Sequence, residues 1–187
     1  MHNRTISTAA DQKIPLIGFC AFSGTGKTTL LKKLIPILRQ RGIRLAVIKH
    51  SHHDFEIDHP GKDSYELRKA GANQLLIASQ HRIVHITELE ERADAPPPKE
   101  LIGQLDLSTV DIVLVEGYRH EAFPKIELHR PALKKPLIFP DDDSVIAIAS
   151  DEPIAPGDRA IPRLDLNNVS MIAEFIEHQI IQPKGGH

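Results

Sequence analysis

The sequence predicts an α/β fold, a mostly parallel sheet with helices on both faces. Three observations carry this. The apolar run Leu16–Cys20 leads into the turn Ala21-Phe22-Ser23-Gly24-Thr25-Gly26-Lys27-Thr28, and helix periodicity follows. A second apolar run, Leu45-Ala46-Val47-Ile48, completes a strand–helix–strand unit, whose crossover is right-handed in nearly all folds. A third, Asp111-Ile112-Val113-Leu114-Val115-Glu116-Gly117, reads as a buried strand ending on an acid.

Each element has a local reason. Leu16–Cys20 is apolar throughout, as a strand covered on both faces requires. In Thr28–Arg41, Leu31, Leu34, Ile35 and Leu38 share one helix face, Pro36 should bend the second half, and Gly42 ends it. A long polar loop then runs from Lys49 to Lys62, with His50, His52, His53 and His59 in it. Asp63-Ser64-Tyr65-Glu66 resembles a capping box for a short helix that stops at Gly71. Gln74–Ala78 and Arg82–Ile86, separated by Ser79-Gln80-His81, form a hairpin pattern, so the sheet is expected to be mixed. Ala95-Pro96-Pro97-Pro98 is a stiff connector, and Pro98 can open a helix over Lys99–Leu105. Ile126–Leu128 and Val145–Ala149 read as further strands, and Asn167–Ile180 as an amphipathic helix.

Composition narrows the function. At 187 residues one domain is expected, over 14–181, with a disordered leader over 1–13 and a disordered tail over 182–187. The net charge of −2 gives no bulk electrostatic case for nucleic acid or a membrane surface. Trp is absent and aromatics are 4%, which disfavours a base-stacking platform. A single Cys, Cys20, allows no internal disulfide, and the leader lacks an apolar signal core; both suit a cytoplasmic protein.

The turn at Ala21–Thr28 has the chemistry of a phosphate-binding loop, with Ala21 at the usual first Gly. Amides of Ser23, Gly24, Thr25, Gly26, Lys27, Thr28 and Thr29 can surround an anion at a helix N-terminus. Lys27 can reach the terminal phosphates, and the Thr28 hydroxyl can ligate Mg²⁺. This makes the fold a P-loop nucleotide-binding type. Glu116, at the end of its strand, is the second Mg²⁺ candidate. Asp58, three residues before Gly61 in a switch-like loop, is a third. Lys49, Arg119 and Lys125 lie near strand ends and can meet an anionic group. Asp151, closing the last strand, can accept both N1–H and N2–H of guanine, although no Asn-Lys-x-Asp motif is present.

Several segments, in order, carry a more specific signal. They are the phosphate loop, Lys49-His50-Ser51-His52-His53, Asp58-His59-Pro60-Gly61-Lys62-Asp63-Ser64, Arg68-Lys69-Ala70-Gly71-Ala72, Val115-Glu116-Gly117-Tyr118 and Pro124-Lys125-Ile126-Glu127. From Ile14 to Asp151 the chain closely resembles the molybdopterin-guanine dinucleotide biosynthesis adaptor (MobB) family. The resemblance implies a GTP-binding protein with weak GTPase activity, using Mg²⁺, in molybdenum cofactor biosynthesis. It also implies a homodimer with an extended sheet, a molybdenum cofactor guanylyltransferase as partner, and molybdopterin as a candidate ligand. No arginine finger or strong general base is evident, so hydrolysis is expected to be slow until a partner or second subunit completes the site.

Two other enzyme readings share the loop. A metallochaperone GTPase would use His50, His52 and His53 for Ni²⁺ or Zn²⁺. A small-molecule kinase would need an Arg-bearing lid, for which Arg82–Arg92 is a poor candidate because it reads partly as strand. A non-enzymatic scaffold, stabilised as a dimer by nucleotide, is a further reading.

Overall fold

The computed structural model describes residues 5–6, 14–51, 55–89, 94–154 and 159–183. In chain order the elements are β1 (Thr5–Ile6), β2 (Ile14–Cys20), α1 (Lys27–Gln40), β3 (Leu45–Lys49), α2 (Asp63–Lys69), β4 (Gln74–Ala78) and β5 (Ile83–Thr87). Then come α3 (Pro98–Ile102), β6 (Ile112–Glu116), β7 (Lys125–His129), β8 (Val145–Ser150), β9 (Arg163–Asp165) and α4 (Val169–Ile176), which a π-helical stretch extends over Glu177–Ile181.

The chain forms two compact units, one of Met1–His50 with Pro96–His187, the other of Ser51–Ala95. In the first, the strand order is β3-β6-β2-β7-β8-β9, with all these neighbours parallel. The short β1 pairs antiparallel with the start of β2, so part of the expected leader is strand. β1 and β9 are too short to show a hydrophobic period, which is why the sequence did not reveal them.

The alternation of β2 divides the core. Ile17 and Phe19 pack with Leu30, Leu31, Leu34 and Leu38 of α1 and with Ile172 and Ile176 of α4. Leu16 packs with Ile48, Ile102, Val113, Val115 and Phe123 in a separate cluster. Cys20 joins Ile138, Phe139, Val145 and Ile148, and burial pushes its thiol pKa up to about 12. Pro36 does not end α1, which runs unbroken to Gln40. A proline inside a helix costs roughly 3 kcal/mol. Each buried leucine offsets roughly 1.5–3 kcal/mol, and α1 buries four, so packing wins.

In the second unit, β4 and β5 pair only with each other, as a two-stranded antiparallel sheet. The expected hairpin is therefore present but does not join the main sheet; β1 supplies the antiparallel member there. Ser79 makes the turn: its hydroxyl accepts from the amides of His81 and Arg82 at 3.3 and 3.1 Å. The helix α2 is capped at Lys62 rather than at Asp63 or Ser64. Glu66 does reach back, accepting from the Gly61 amide at 3.3 Å.

Candidate functional site

The turn after β2 has a backbone that can receive an anion. Gly24 and Gly26 have φ of 81° and 102°, a region that costs an L side chain but not glycine. A Cβ on Gly24 would meet no atom within 4 Å, so its positive φ, not crowding, is what favours glycine there. The first bond of α1 is donated by Leu30 to the Gly26 carbonyl at 2.9 Å. The amides of Lys27, Thr28 and Thr29 precede it and have no intrahelical acceptor. They are available, with the positive end of the helix, to a phosphate. Thr25 is 3% exposed and fastens the turn, its hydroxyl donating to the Phe22 carbonyl at 2.8 Å. Lys27 curls over the loop, Nζ donating to the Ala21 carbonyl at 3.2 Å. Ser23, Gly24, Thr28 and Thr29 are exposed.

Parallel pairing brings the acid to this loop. In register, β2 aligns Phe19 with Glu116, and β3 aligns Lys49 with Glu116. The Thr28 hydroxyl donates to Glu116 Oε1 at 3.2 Å. Lys49 Nζ lies 3.5 Å from Glu116 Oε2. Thr28, Glu116 and Lys49 are thus brought together. A hydroxyl and a carboxylate converging beside a phosphate loop are hard oxygen donors of the kind Mg²⁺ takes, so the residues fit that ion.

The segment after Glu116 is tightly held. Gly117 has φ 97°, and a Cβ there would stand 2.6 Å from the His50 Cβ. Tyr118, at φ 50°, stacks on His50 with ring centroids 4.7 Å apart. Its hydroxyl donates to the Pro96 carbonyl at 2.5 Å. The Arg119 guanidinium lies over the Phe22 ring, 4.7 Å from its centroid.

Lys125 lies elsewhere than its sequence position suggested. It begins β7 rather than ending a strand, opposite Gly18 of β2, and is 1% exposed. Its ammonium donates to the carbonyls of Arg119 and Glu121 at 2.7 and 2.8 Å and meets Asp142 at 2.8 Å. It is used inside the fold. The neighbouring Glu127 is also buried, accepting from the amides of Ile138 and Phe139 at 2.9 Å each. Burial holds its pKa above the usual carboxylate value, against those amides.

A second cation stands at the other end of β7. Arg130 follows His129 and was not among the candidates. Its Nε donates to the Thr25 carbonyl at 2.9 Å, and its Nη1 pairs with Asp151 Oδ2. The signal was a basic residue immediately beyond a strand's C-terminal end, the end that borders a ligand crevice in a parallel sheet. Asp151 follows β8, and its Oδ1 is buried without a hydrogen-bond partner.

In the second unit, Asp58 is engaged by Arg68 at 2.5 Å; Arg68 also binds Glu56 at 2.6 Å and Glu88 at 2.5 Å. The Arg68 hydrogen bond holds the Asp58 pKa below its usual value. His52, His53 and Arg92 lie outside the described residues. Among the described residues, no group of three or more His, Cys, Asp or Glu is arranged to hold a metal ion. No helix among them is long and apolar enough to cross a membrane.

Known proteins resemble this chain in sequence and in fold. The family described as "Molybdopterin guanine dinucleotide synthesis protein B" (MobB) matches residues 16–151. The chain is 50% identical over 171 residues to the molybdopterin-guanine dinucleotide biosynthesis adapter protein of Escherichia coli (strain K12), covering 90% of this chain and 94% of that protein. It is 44% identical over 172 residues to the adapter protein of the same description from Haemophilus influenzae (strain ATCC 51907 / DSM 11121 / KW20 / Rd), covering 90% of each. A crystal structure of molybdopterin-guanine biosynthesis protein B (mobB) superposes with a TM-score of 0.64 at 27% identity, over 86% of this chain and 97% of that one. A Bacillus subtilis MobB structure shares the fold, with a TM-score of 0.66 at 21% identity over 92% and 100% of the two chains.

Proposed function

Because the chain belongs to the molybdopterin guanine dinucleotide synthesis protein B family, we propose that it is a GTP-binding adapter in molybdopterin guanine dinucleotide biosynthesis. The observation that carries the nucleotide part is the Thr28–Glu116 contact beside the phosphate loop. The amides from Gly24 to Thr29 bind the phosphates. Lys27 exchanges the Ala21 carbonyl for phosphate oxygens and offsets the charge that develops there during hydrolysis. Thr28 and Glu116 hold Mg²⁺, which when bound neutralises phosphate charge. Lys49, 3.5 Å from Glu116, would balance part of its charge or meet a phosphate oxygen. Asp151 reads guanine through its two oxygens.

In this reading hydrolysis is slow, because Arg130, the arginine alongside the loop, already commits Nε and Nη1 to Thr25 and Asp151, and among the described residues no strong general base stands beside it. The protein acts as a cytoplasmic homodimer on a molybdenum cofactor guanylyltransferase, with molybdopterin as a candidate ligand. The testing experiment is thermal unfolding with GTP and Mg²⁺ against ATP and Mg²⁺. A nucleotide at 100 times its Kd stabilises the fold by about 2.7 kcal/mol. A shift with GTP and little with ATP is expected. No shift with either nucleotide sinks the nucleotide site, and equal shifts sink the role of Asp151. Co-purification of the transferase with the GTP-loaded protein tests the partner; no association in either nucleotide state counts against it.

A further inference from the structure

Arg130 makes two separate bonds with one planar group. Nε donates to the Thr25 carbonyl at 2.9 Å and Nη1 to Asp151 Oδ2. Nη2 lies 3.9 Å from where a Cβ on Gly26 would stand, so the guanidinium lies alongside the phosphate loop. Its position follows from register: His129 of β7 is level with Ser150 of β8, and Arg130 and Asp151 are the next residues of each strand. Both ends of the bridge are anchored. Thr25 is buried and hydrogen-bonded to Phe22, and Asp151 directly follows β8, which is paired on both sides by β7 and β9. Asp151 Oδ1, in contrast, is buried without a donor, an arrangement that invites an N–H from a ligand.

We propose that Arg130 is the positioning residue for base recognition. It fixes the Asp151 carboxylate through Oδ2, leaves Oδ1 for a base with two adjacent N–H donors, and ties that orientation to the phosphate loop. Each carboxylate oxygen has two acceptor positions, so Oδ2 serves Arg130 and still takes one N–H. Guanine has the required pair of donors; adenine lacks it, and hypoxanthine has only one. Only a guanidinium can make both bonds at fixed geometry, because a lysine ammonium is a single point on a flexible stem. Base binding and triphosphate binding are thereby coupled through one side chain. The inference rests on the reading of Asp151 as the guanine-binding group.

The test uses the full chain with Mg²⁺, displacing a fluorescent GTP analogue with GTP, ITP, ATP or inorganic tripolyphosphate. The variants are Arg130→Lys, Arg130→Gln and Asp151→Asn. Loss of one charge-assisted hydrogen bond corresponds to about tenfold in affinity. Arg130→Lys should weaken GTP about tenfold and bring GTP and ITP to near-equal affinity, while tripolyphosphate binding changes less than about twofold. Equal losses for GTP, ITP and tripolyphosphate would make Arg130 a general phosphate-loop support and overturn the proposal. Unchanged GTP/ITP discrimination would do the same. If the wild type does not distinguish the three nucleotides, the reading of Asp151 fails and the proposal falls with it. If Asp151→Asn loses discrimination and Arg130→Lys keeps it, only the role of Arg130 falls. Unliganded melting temperatures control for folding. Failure of both Arg130 variants to fold would also overturn the proposal, since the residue would then serve the unliganded fold.

Discussion

The Thr28 hydroxyl donates to Glu116 Oε1 across 3.2 Å, joining the N-terminus of α1 to the end of β6. This places a neutral and a charged oxygen at one point beside the phosphate loop. Glu116→Gln preserves an acceptor for Thr28 and removes the charge. It should weaken nucleotide binding about tenfold or more in the presence of Mg²⁺, the size of a charge-assisted contact, and little in EDTA. Titration under both conditions checks this; equal loss in EDTA would remove the metal role.

Lys27→Ala should abolish GTP hydrolysis and leave the unliganded melting temperature unchanged. Nζ is anchored on the Ala21 carbonyl, six residues away in the chain, a local contact that adds little to the fold. Unchanged turnover would show that the loop is not the site of chemistry.

Lys125→Ala should act in the opposite way. Its ammonium is 1% exposed and pairs with Asp142, and breaking a buried pair costs roughly 3–5 kcal/mol. Denaturant unfolding should show this loss, while GTP affinity of the folded fraction stays near the wild-type value. A large change in affinity with little change in stability would return Lys125 to the ligand.

Glu127 supplies a pH dependence. Burial raises its pKa in the folded state above the ordinary 4.5. Its contribution is therefore fully present below pH 4.5 and is lost as pH rises through the folded value. Glu127→Gln should remove this component from the stability–pH curve. It should also cost about 1–3 kcal/mol, because its amide nitrogen would face an N–H of Ile138 or Phe139. Urea titrations at a series of pH values check both parts.

Gly117→Ala should be damaging for two independent reasons. The backbone φ of 97° strains any side chain, and the new methyl would lie 2.6 Å from the His50 Cβ. About 1–3 kcal/mol of stability should be lost from the strain alone. Proton chemical shifts of His50 and Tyr118 should move as their stack opens.

The sequence made the phosphate loop and Glu116 legible because each is local: a turn between strand and helix, and an acid at the end of an apolar run. Arg130 and Lys125 were not legible in the same way. Whether a basic residue near a strand borders the crevice depends on which end of the strand it occupies, and β7 needed its exact bounds for that. The Lys125 ammonium finds its carbonyl acceptors in the preceding loop, whose path no periodicity encodes. The Asp58–Arg68 pair was hidden for a related reason. Arg68 lies on a short helix without buried residues, where a charged side chain ordinarily faces water.

Tyr118 grips both stems of the segment 51–95. Its ring stacks on His50, where the chain leaves the sheet, and its hydroxyl holds Pro96, where the chain returns. The two stems are therefore within the reach of one tyrosine side chain. A loop closed at its base adds little entropic cost as it lengthens, about 0.6 kcal/mol for each doubling. Changing the length of the segment between His50 and Pro96 therefore adds little to the cost of closing it. The same property makes residues 51–95 a replaceable cassette: a short Gly/Ser linker from His50 to Pro96 should leave a folded core that still binds nucleotide.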